Sequence, residues 1–248
     1  VTKYKRQPTE AQKRAWSQRK YGNWIQKLAE YQGGRPHFAD QQPESLYLLE
    51  KLVEMTQPKR IVELGTAHGL STRLWIDETG DDVEIICIDA GFTPLKGSNG
   101  VLPVDFSRLT LVEKWVHDVD LPALWADGKK TILYVDIHSD HQHVFNAIPT
   151  LPVGSVVIFD DLWYSEEELD TEEKREKFRE EVVKPQVDFT APLAIWPLAW
   201  DTYWRGGSFW GFPEVHYICA WTKENRVKLH WEEEAKVVWF LWPQDKEE

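Results

Sequence analysis

"RIVELGTAHGLSTRLW", residues 60–75, decides the fold. Its first half is an apolar run, Ile61, Val62 and Leu64, carrying one acid, Glu63. Gly65 and Gly69 bracket a turn of small residues, and a helical pattern opens at Ser71. A strand that passes through a glycine turn into a helix opens a βαβ unit, and open parallel sheets bind ligands beyond the carboxyl ends of their strands. Glycines at that place let the backbone approach a ligand closely. The stretch is not the phosphate-binding G-x-G-x-x-G, because Ala67 holds the middle position and Glu63 stands two residues before the first glycine. A carboxylate there repels a pyrophosphate and suits a cation, or a ligand carrying hydroxyl and amino groups.

On either side the chain alternates. Strands are expected at 60–64, 83–88, 109–113, 131–136 and 155–159, and helices at 69–79, 119–126, 141–150 and 165–184. "TILYVDI" and "SVVIFDD" are apolar until they meet an acid, as central strands of a parallel sheet should be. Two later strands, 215–221 and 237–242, are expected to close the sheet as an antiparallel pair. The predicted class is α/β: a Rossmann-like, seven-stranded, mostly parallel sheet with helices on both faces. Upstream, "EAQKRAWSQRKYGNWIQKLAEY" reads as a helix with Trp16, Trp24, Ile25 and Leu28 as apolar contacts. "PESLYLLEKLVEMTQ" (43–57) reads as an amphipathic helix ended by Pro58. Residues 1–57 are therefore expected to be a helical extension and 58–248 the main domain, with an aromatic-rich lid or insertion at about 186–214.

The composition narrows the classes. The chain has 248 residues, 42% of them hydrophobic and 28% charged, which suits a folded protein with a well-buried core. A net charge of -12 argues against nucleic acid as a partner. Cys87 and Cys219 lie in apolar runs without metal or redox spacing and read as buried thiols. The first residues lack the apolar core of a secretory signal, and no uninterrupted apolar run is long enough to cross a bilayer. A cytoplasmic protein without a membrane partner is the resulting expectation.

"VELGTAHGLS" resembles motif I of the class I S-adenosylmethionine-dependent methyltransferases, above all the small-molecule O-methyltransferases with E-x-G-T-x-x-G-x-S. Glu63, Gly65, Thr66, Gly69 and Ser71 occupy those positions. The resemblance implies that this loop holds the cofactor, with Glu63 supporting the turn and the ammonium side of the sulfonium ligand. It further implies that Asp89, about 20 residues on at the end of "IICID", holds the ribose hydroxyls. A polar residue after the third strand would approach the adenine amine: Asp118, with His117 and Asp120 as alternatives.

Three more acids end strands: Asp136 in "LYVDIHSDHQHVF", and Asp160 and Asp161 in "VVIFDDLW". Adjacent parallel strands would bring these mutually repelling carboxylates into one crevice, where a bound cation relieves them. Oxygen-only ligands point to magnesium, or calcium or manganese, over zinc. Metal-dependent O-methyltransferases of the catechol type, and of the sugar-modifying type in antibiotic pathways, are similar in this respect. In them the metal binds two neighbouring substrate oxygens and lowers the pKa of the one to be methylated. The catechol-type lysine base is replaced here by Ser139, with His138, Asp140, His141 and His143 around it. His141, then His138, is the candidate proton acceptor beside Asp136. The resemblance covers roughly residues 58–164.

Eight of the fourteen tryptophans lie between 196 and 242, several around "DTYWRGGS". An aromatic-lined loop there suits stacking on a flat ring or sugar face, with Trp204 and Arg205 as contacts; a plug over the sheet or a homo-oligomer interface is the equal alternative. Trp163 and Tyr164, directly after the acid pair, are candidates for the acceptor-pocket wall. The reading is methyl transfer from S-adenosylmethionine to a hydroxyl of a small-molecule acceptor, assisted by a divalent metal. Metal-free N- or C-methylation, and a non-catalytic cofactor-binding module, are the rivals.

Overall fold

The computed structural model describes residues 10–31, 43–137, 141–160, 221, 225, 227–228, 230–232 and 237–242. Helices α1 (Glu10–Tyr31) and α2 (Pro43–Thr56) come first. There follow β1 (Arg60–Leu64), α3 (Leu70–Glu78), β2 (Glu84–Asp89), α4 (Thr93–Ser98), β3 (Leu109–Glu113) and α5 (Leu121–Leu124). The described chain continues through β4 (Thr131–Val135), α6 (His141–Ala147), β5 (Val156–Phe159), β6 (His230–Glu232) and β7 (Val237–Leu241). Among the described residues these strands form one sheet in the order β3-β2-β1-β4-β5-β7-β6. The first five are parallel to their neighbours, while β7 is antiparallel to both β5 and β6. The strand order reverses at β1 and β4, which pair Arg60 with Thr131 through Leu64 with Val135. A reversal of this kind leaves a crevice beyond the carboxyl ends of the two strands.

The period of two along each strand divides the core in two. Ile61, Ile85, Cys87, Ile132, Tyr134, Val156, Ile158 and Val237 face one side, where Leu74, Trp75 and Ile76 of α3 cover them. Val62, Leu64, Ile88, Leu133, Val135, Val157, Phe159 and Phe240 face the other, under Val144, Phe145 and Ala147 of α6. The N-terminal helices belong to the first side: Tyr21 and Leu28 of α1, and Leu46, Leu49, Leu52 and Val53 of α2, are buried in the same cluster as α3 and the strands. Trp24 and Ile25 pack against that cluster from α1, and Arg73 of α3 lies 4.9 Å from the centre of the Trp24 ring. The side chain of Trp16 lies outside the described residues.

Several expected elements differ in extent. The helix expected at 119–126 is a single turn, Leu121–Leu124, capped by the Asp120 side chain on the Ala123 amide and opened by Pro122. The helix expected over 141–150 ends at Ala147 and tightens into a 3-10 turn, Ile148–Thr150, where Pro149 has no N–H to continue the ladder. Helix α4 was not anticipated; "GFTPLKGS" carries a glycine and a proline, yet Pro94 sits in its first turn, where a missing N–H costs nothing. The antiparallel partner of β7 in the described sheet is His230–Glu232. Of the strand expected at 215–221, only Trp221 is described, and it is helical; the rest lies outside the described residues, as do the helix expected at 165–184 and the aromatic segment 186–214. No described helix is long and apolar enough to cross a membrane.

Candidate active site

The site is built where β1 gives way to α3. Gly65 and Gly69 both hold left-handed backbone, with φ of 82° and 83°, and Ala67 between them has φ of 43°. At Gly65 a side chain is sterically excluded: a Cβ would stand 2.0 Å from the carbonyl oxygen of Asp136. The loop thereby lies against the end of β4. Its amides are held by the end of β2: the Asp89 carboxylate accepts from the Thr66 amide at 2.9 Å, the Ala67 amide at 3.3 Å and the Gly91 amide at 2.9 Å. The expected glycine turn and the expected acid of β2 are thus brought together.

Glu63 points elsewhere. It is fully buried on the α3 side of the sheet, and both carboxylate oxygens are occupied from within the chain. Ser71 and Thr72 hydroxyls donate at 2.5 and 2.6 Å, the Trp75 indole N–H at 3.1 Å and the Cys87 thiol at 3.3 Å. These donors tie Glu63 to the first turn of α3, the Ser71 hydroxyl among them. The part of the reading in which Glu63 supports the turn matches its contacts, because two of its donors come from the first turn of α3. Desolvation raises the Glu63 carboxyl above its ordinary range, against the opposing pull of the four donors. The same burial, with Glu63 beside it, pushes the Cys87 thiol well up, so Cys87 is the inert, buried thiol expected.

Helix α3 begins without a side-chain cap at Gly69. No side chain at the N-cap therefore takes its first amides, which carry the positive end of the helix dipole. Asp118 closes a 3-10 turn, Val116–Asp118, beyond the edge strand β3; it is exposed, with the His117 ring 3.9 Å away. His117 stacks on Trp115, which is 58% exposed.

Asp136 follows β4 and Asp160 follows β5. Val135 pairs with Phe159, so the two acids are the next residues in register on adjacent strands. Backbone bonds seat both: the Asp136 amide on the Leu64 carbonyl at 2.9 Å, and the Asp160 amide on the Val135 carbonyl at 3.0 Å. The Tyr134 hydroxyl donates to the Asp160 carboxylate. Burial, then the charges of Asp160 and Asp136, hold the Tyr134 phenol well above its ordinary range. Sequence reasoning missed Tyr134; the only available signal was a polar tip inside an otherwise apolar strand. Asp161, His138, Trp163, Tyr164, Trp204 and Arg205 lie outside the described residues, and of His141 only its backbone, the first residue of α6, is described. His143 is engaged elsewhere, its Nε2 lying 2.9 Å from the Val119 carbonyl. Among the described residues no group of three His, Cys, Asp or Glu side chains is clustered as a metal set.

The arrangement corresponds to a known fold. A candidate caffeoyl-CoA O-methyltransferase from Staphylococcus aureus superposes with a TM-score of 0.57 over 92% of this chain and 98% of its own, at 13% identity. A Podospora anserina methyltransferase, solved with S-adenosylhomocysteine bound, superposes with a TM-score of 0.56 over 93% of both chains, at 16% identity. A Corynebacterium glutamicum protein gives 0.51 over 97% of this chain and 93% of its own, at 12% identity. No protein-family model matches the sequence, and no curated protein does. The fold is that of the class I S-adenosylmethionine-dependent methyltransferases.

Proposed function

We propose that this chain is an S-adenosylmethionine-dependent methyltransferase that methylates a hydroxyl of a small molecule with the help of a divalent cation. The observation that carries the reading is the clamped glycine loop. Asp89 draws the Thr66 and Ala67 amides to the end of β2, while Gly65 lies flat against Asp136. The loop and the uncapped start of α3 suit the carboxylate and main-chain-sized end of the cofactor, and Asp89 suits its ribose hydroxyls. Asp118, with His117 or Asp120 as alternatives, would approach the adenine amine. Reaction is in-line displacement at the methyl carbon, so the chain contributes mainly by holding donor and acceptor in line.

Asp136 and Asp160, which follow the paired Val135 and Phe159, would supply oxygen donors of the kind magnesium takes, one or two carboxylates completed by substrate and water. A divalent ion held there, with Asp161 as the expected third ligand, would lower the pKa of the acceptor hydroxyl. His141 or His138 would then take the proton. The similar structures carry the fold only. Support for hydroxyl as the acceptor comes from the motif resemblance and from the two adjacent acids.

Titration calorimetry with S-adenosylmethionine, with and without magnesium, tests this on wild type and Asp160→Ala. Micromolar cofactor binding, and a magnesium heat lost in the variant, are expected. Cofactor binding without any divalent-ion binding would favour metal-free N- or C-methylation. Absence of cofactor binding would overturn the transferase reading.

A further inference from the structure

Two contacts of Asp160 bear on its role, one through its amide and one through its carboxylate. Its amide is tied to β4 through the Val135 carbonyl, as any residue continuing the ladder would be. Its carboxylate is also reached from below, by a side chain that starts two residues earlier on that same neighbouring strand. Tyr134 sits in the middle of the sheet, paired with Glu63 of β1 and Ile158 of β5, and has no solvent exposure. Its ring meets the edge of the Trp75 indole, with centroids 5.4 Å apart at 71°. Trp75 is itself pinned by its bond to Glu63. The ring therefore has little freedom, and the hydroxyl at its tip is delivered to Asp160 Oδ2.

We propose that Tyr134 is a positioning residue that fixes the rotamer of Asp160, so that this carboxylate meets a divalent ion and acceptor in one preset orientation. The inference rests on the reading of Asp160 as a metal-holding carboxylate. A metal-holding carboxylate works best when its two side-chain torsions are set before the ion arrives. Ordering it at the moment of metal capture costs affinity, and a hydrogen bond made beforehand removes that cost. The device also links the two halves of the site: Glu63 anchors the start of α3 and the Trp75 ring, and Trp75 in turn confines Tyr134.

The test is Mn2+ binding, followed by loss of the free-ion paramagnetic resonance signal. It uses wild type, Tyr134→Phe, Asp160→Asn and the double variant, with thermal melting and S-adenosylmethionine calorimetry run metal-free beside it. Phenylalanine keeps the ring against Trp75 and removes one oxygen. Tyr134→Phe is expected to bind Mn2+ roughly 10–100-fold more weakly, the usual effect of losing a group that orients a metal ligand. Metal-free cofactor affinity should be unchanged. In the Asp160→Asn background, where the oriented charge is already gone, Tyr134→Phe should have much less effect on the remaining Mn2+ affinity. Equal Mn2+ affinity of wild type and Tyr134→Phe, with a lowered melting temperature, would make Tyr134 purely structural and overturn the inference alone. Wild type that binds no Mn2+ would overturn the metal reading and this inference with it.

Discussion

At the scale of the residue, Glu63 shows how an acid within a strand can serve the fold from inside the core. Four donors converge on it, so truncation strands several buried polar groups at once. Leaving a buried donor unpaired costs about 1–3 kcal/mol, so Glu63→Ala is expected to lose at least ~3 kcal/mol of unfolding free energy in urea titrations. Glu63→Gln should be far milder. Its amide oxygen can accept from Ser71 and Trp75, while its NH2 donates to the Thr72 hydroxyl and the Cys87 sulfur, both of which can accept. The two variants also differ from wild type in pH dependence. Because burial raises the Glu63 carboxyl, the folded protein binds that proton more tightly than the unfolded chain does. Its stabilising contribution is complete below the unfolded carboxylate range and is lost as pH rises through the raised folded value. The stability difference between Glu63→Gln and wild type should therefore move in favour of the variant as pH rises from the ordinary carboxylate range. A difference that is flat with pH would mean that Glu63 does not titrate as its burial requires.

At the scale of the element, α1 is the instructive case. Read as sequence it is an extension, basic and aromatic, ahead of the alternating pattern. In the fold its inner face is continuous with the core: Leu28 and Tyr21 are buried, and the Tyr21 hydroxyl donates to Glu78 of α3 at 2.6 Å. Lys20 pairs with the same Glu78 and with Glu50 of α2, which ties the three helices together. Leu28→Ala should destabilise by about 2–5 kcal/mol, the range for a buried leucine cut to alanine, and the protein should still melt in one transition. An early separate transition, with the sheet core melting unchanged, would show that α1 is a dispensable attachment. Helix α3 is positioned by the opposite kind of contact. Its first turn is fastened by polar groups to Glu63, and its length is covered by apolar ones, so the glycine loop that precedes it is held in place while the helix packs.

At the scale of the whole molecule, the glycine loop, Asp89, Asp136 and Asp160 come from parts of the chain far apart, and the parallel sheet brings them to the carboxyl ends of four neighbouring strands. A ligand that spans such a site binds the folded chain and not the unfolded one. Saturation with S-adenosylmethionine at about 100 times its dissociation constant should add ~2.7 kcal/mol to the unfolding free energy, read as an upward shift of the melting midpoint. An unchanged midpoint under saturating cofactor would contradict the transferase reading.

Much of this was written locally. The apolar runs that end in acids, the two glycines and the helix pattern after them require only neighbours in sequence, so the α/β class, the five parallel strands and the loop were legible in residues 60–160. The candidate site could be read only as a set of residue types at strand ends, because strands of a parallel sheet end on one edge. What the sequence could not carry was direction. Glu63 and Asp89 are both acids near a glycine turn, and nothing in their spacing says which one turns inward. That was decided by the row Cys87, Glu63 and Tyr134, paired across three strands on the face that α3 covers, where Ser71, Thr72 and Trp75 supply the donors. Tyr134 likewise looked like one more apolar strand residue until pairing set it beside β5 and within reach of Asp160. Local patterning determined which elements form and where their acids lie; only the packing of strands and helices decided that Glu63 is buried as an anchor while Asp89 turns back onto the loop amides.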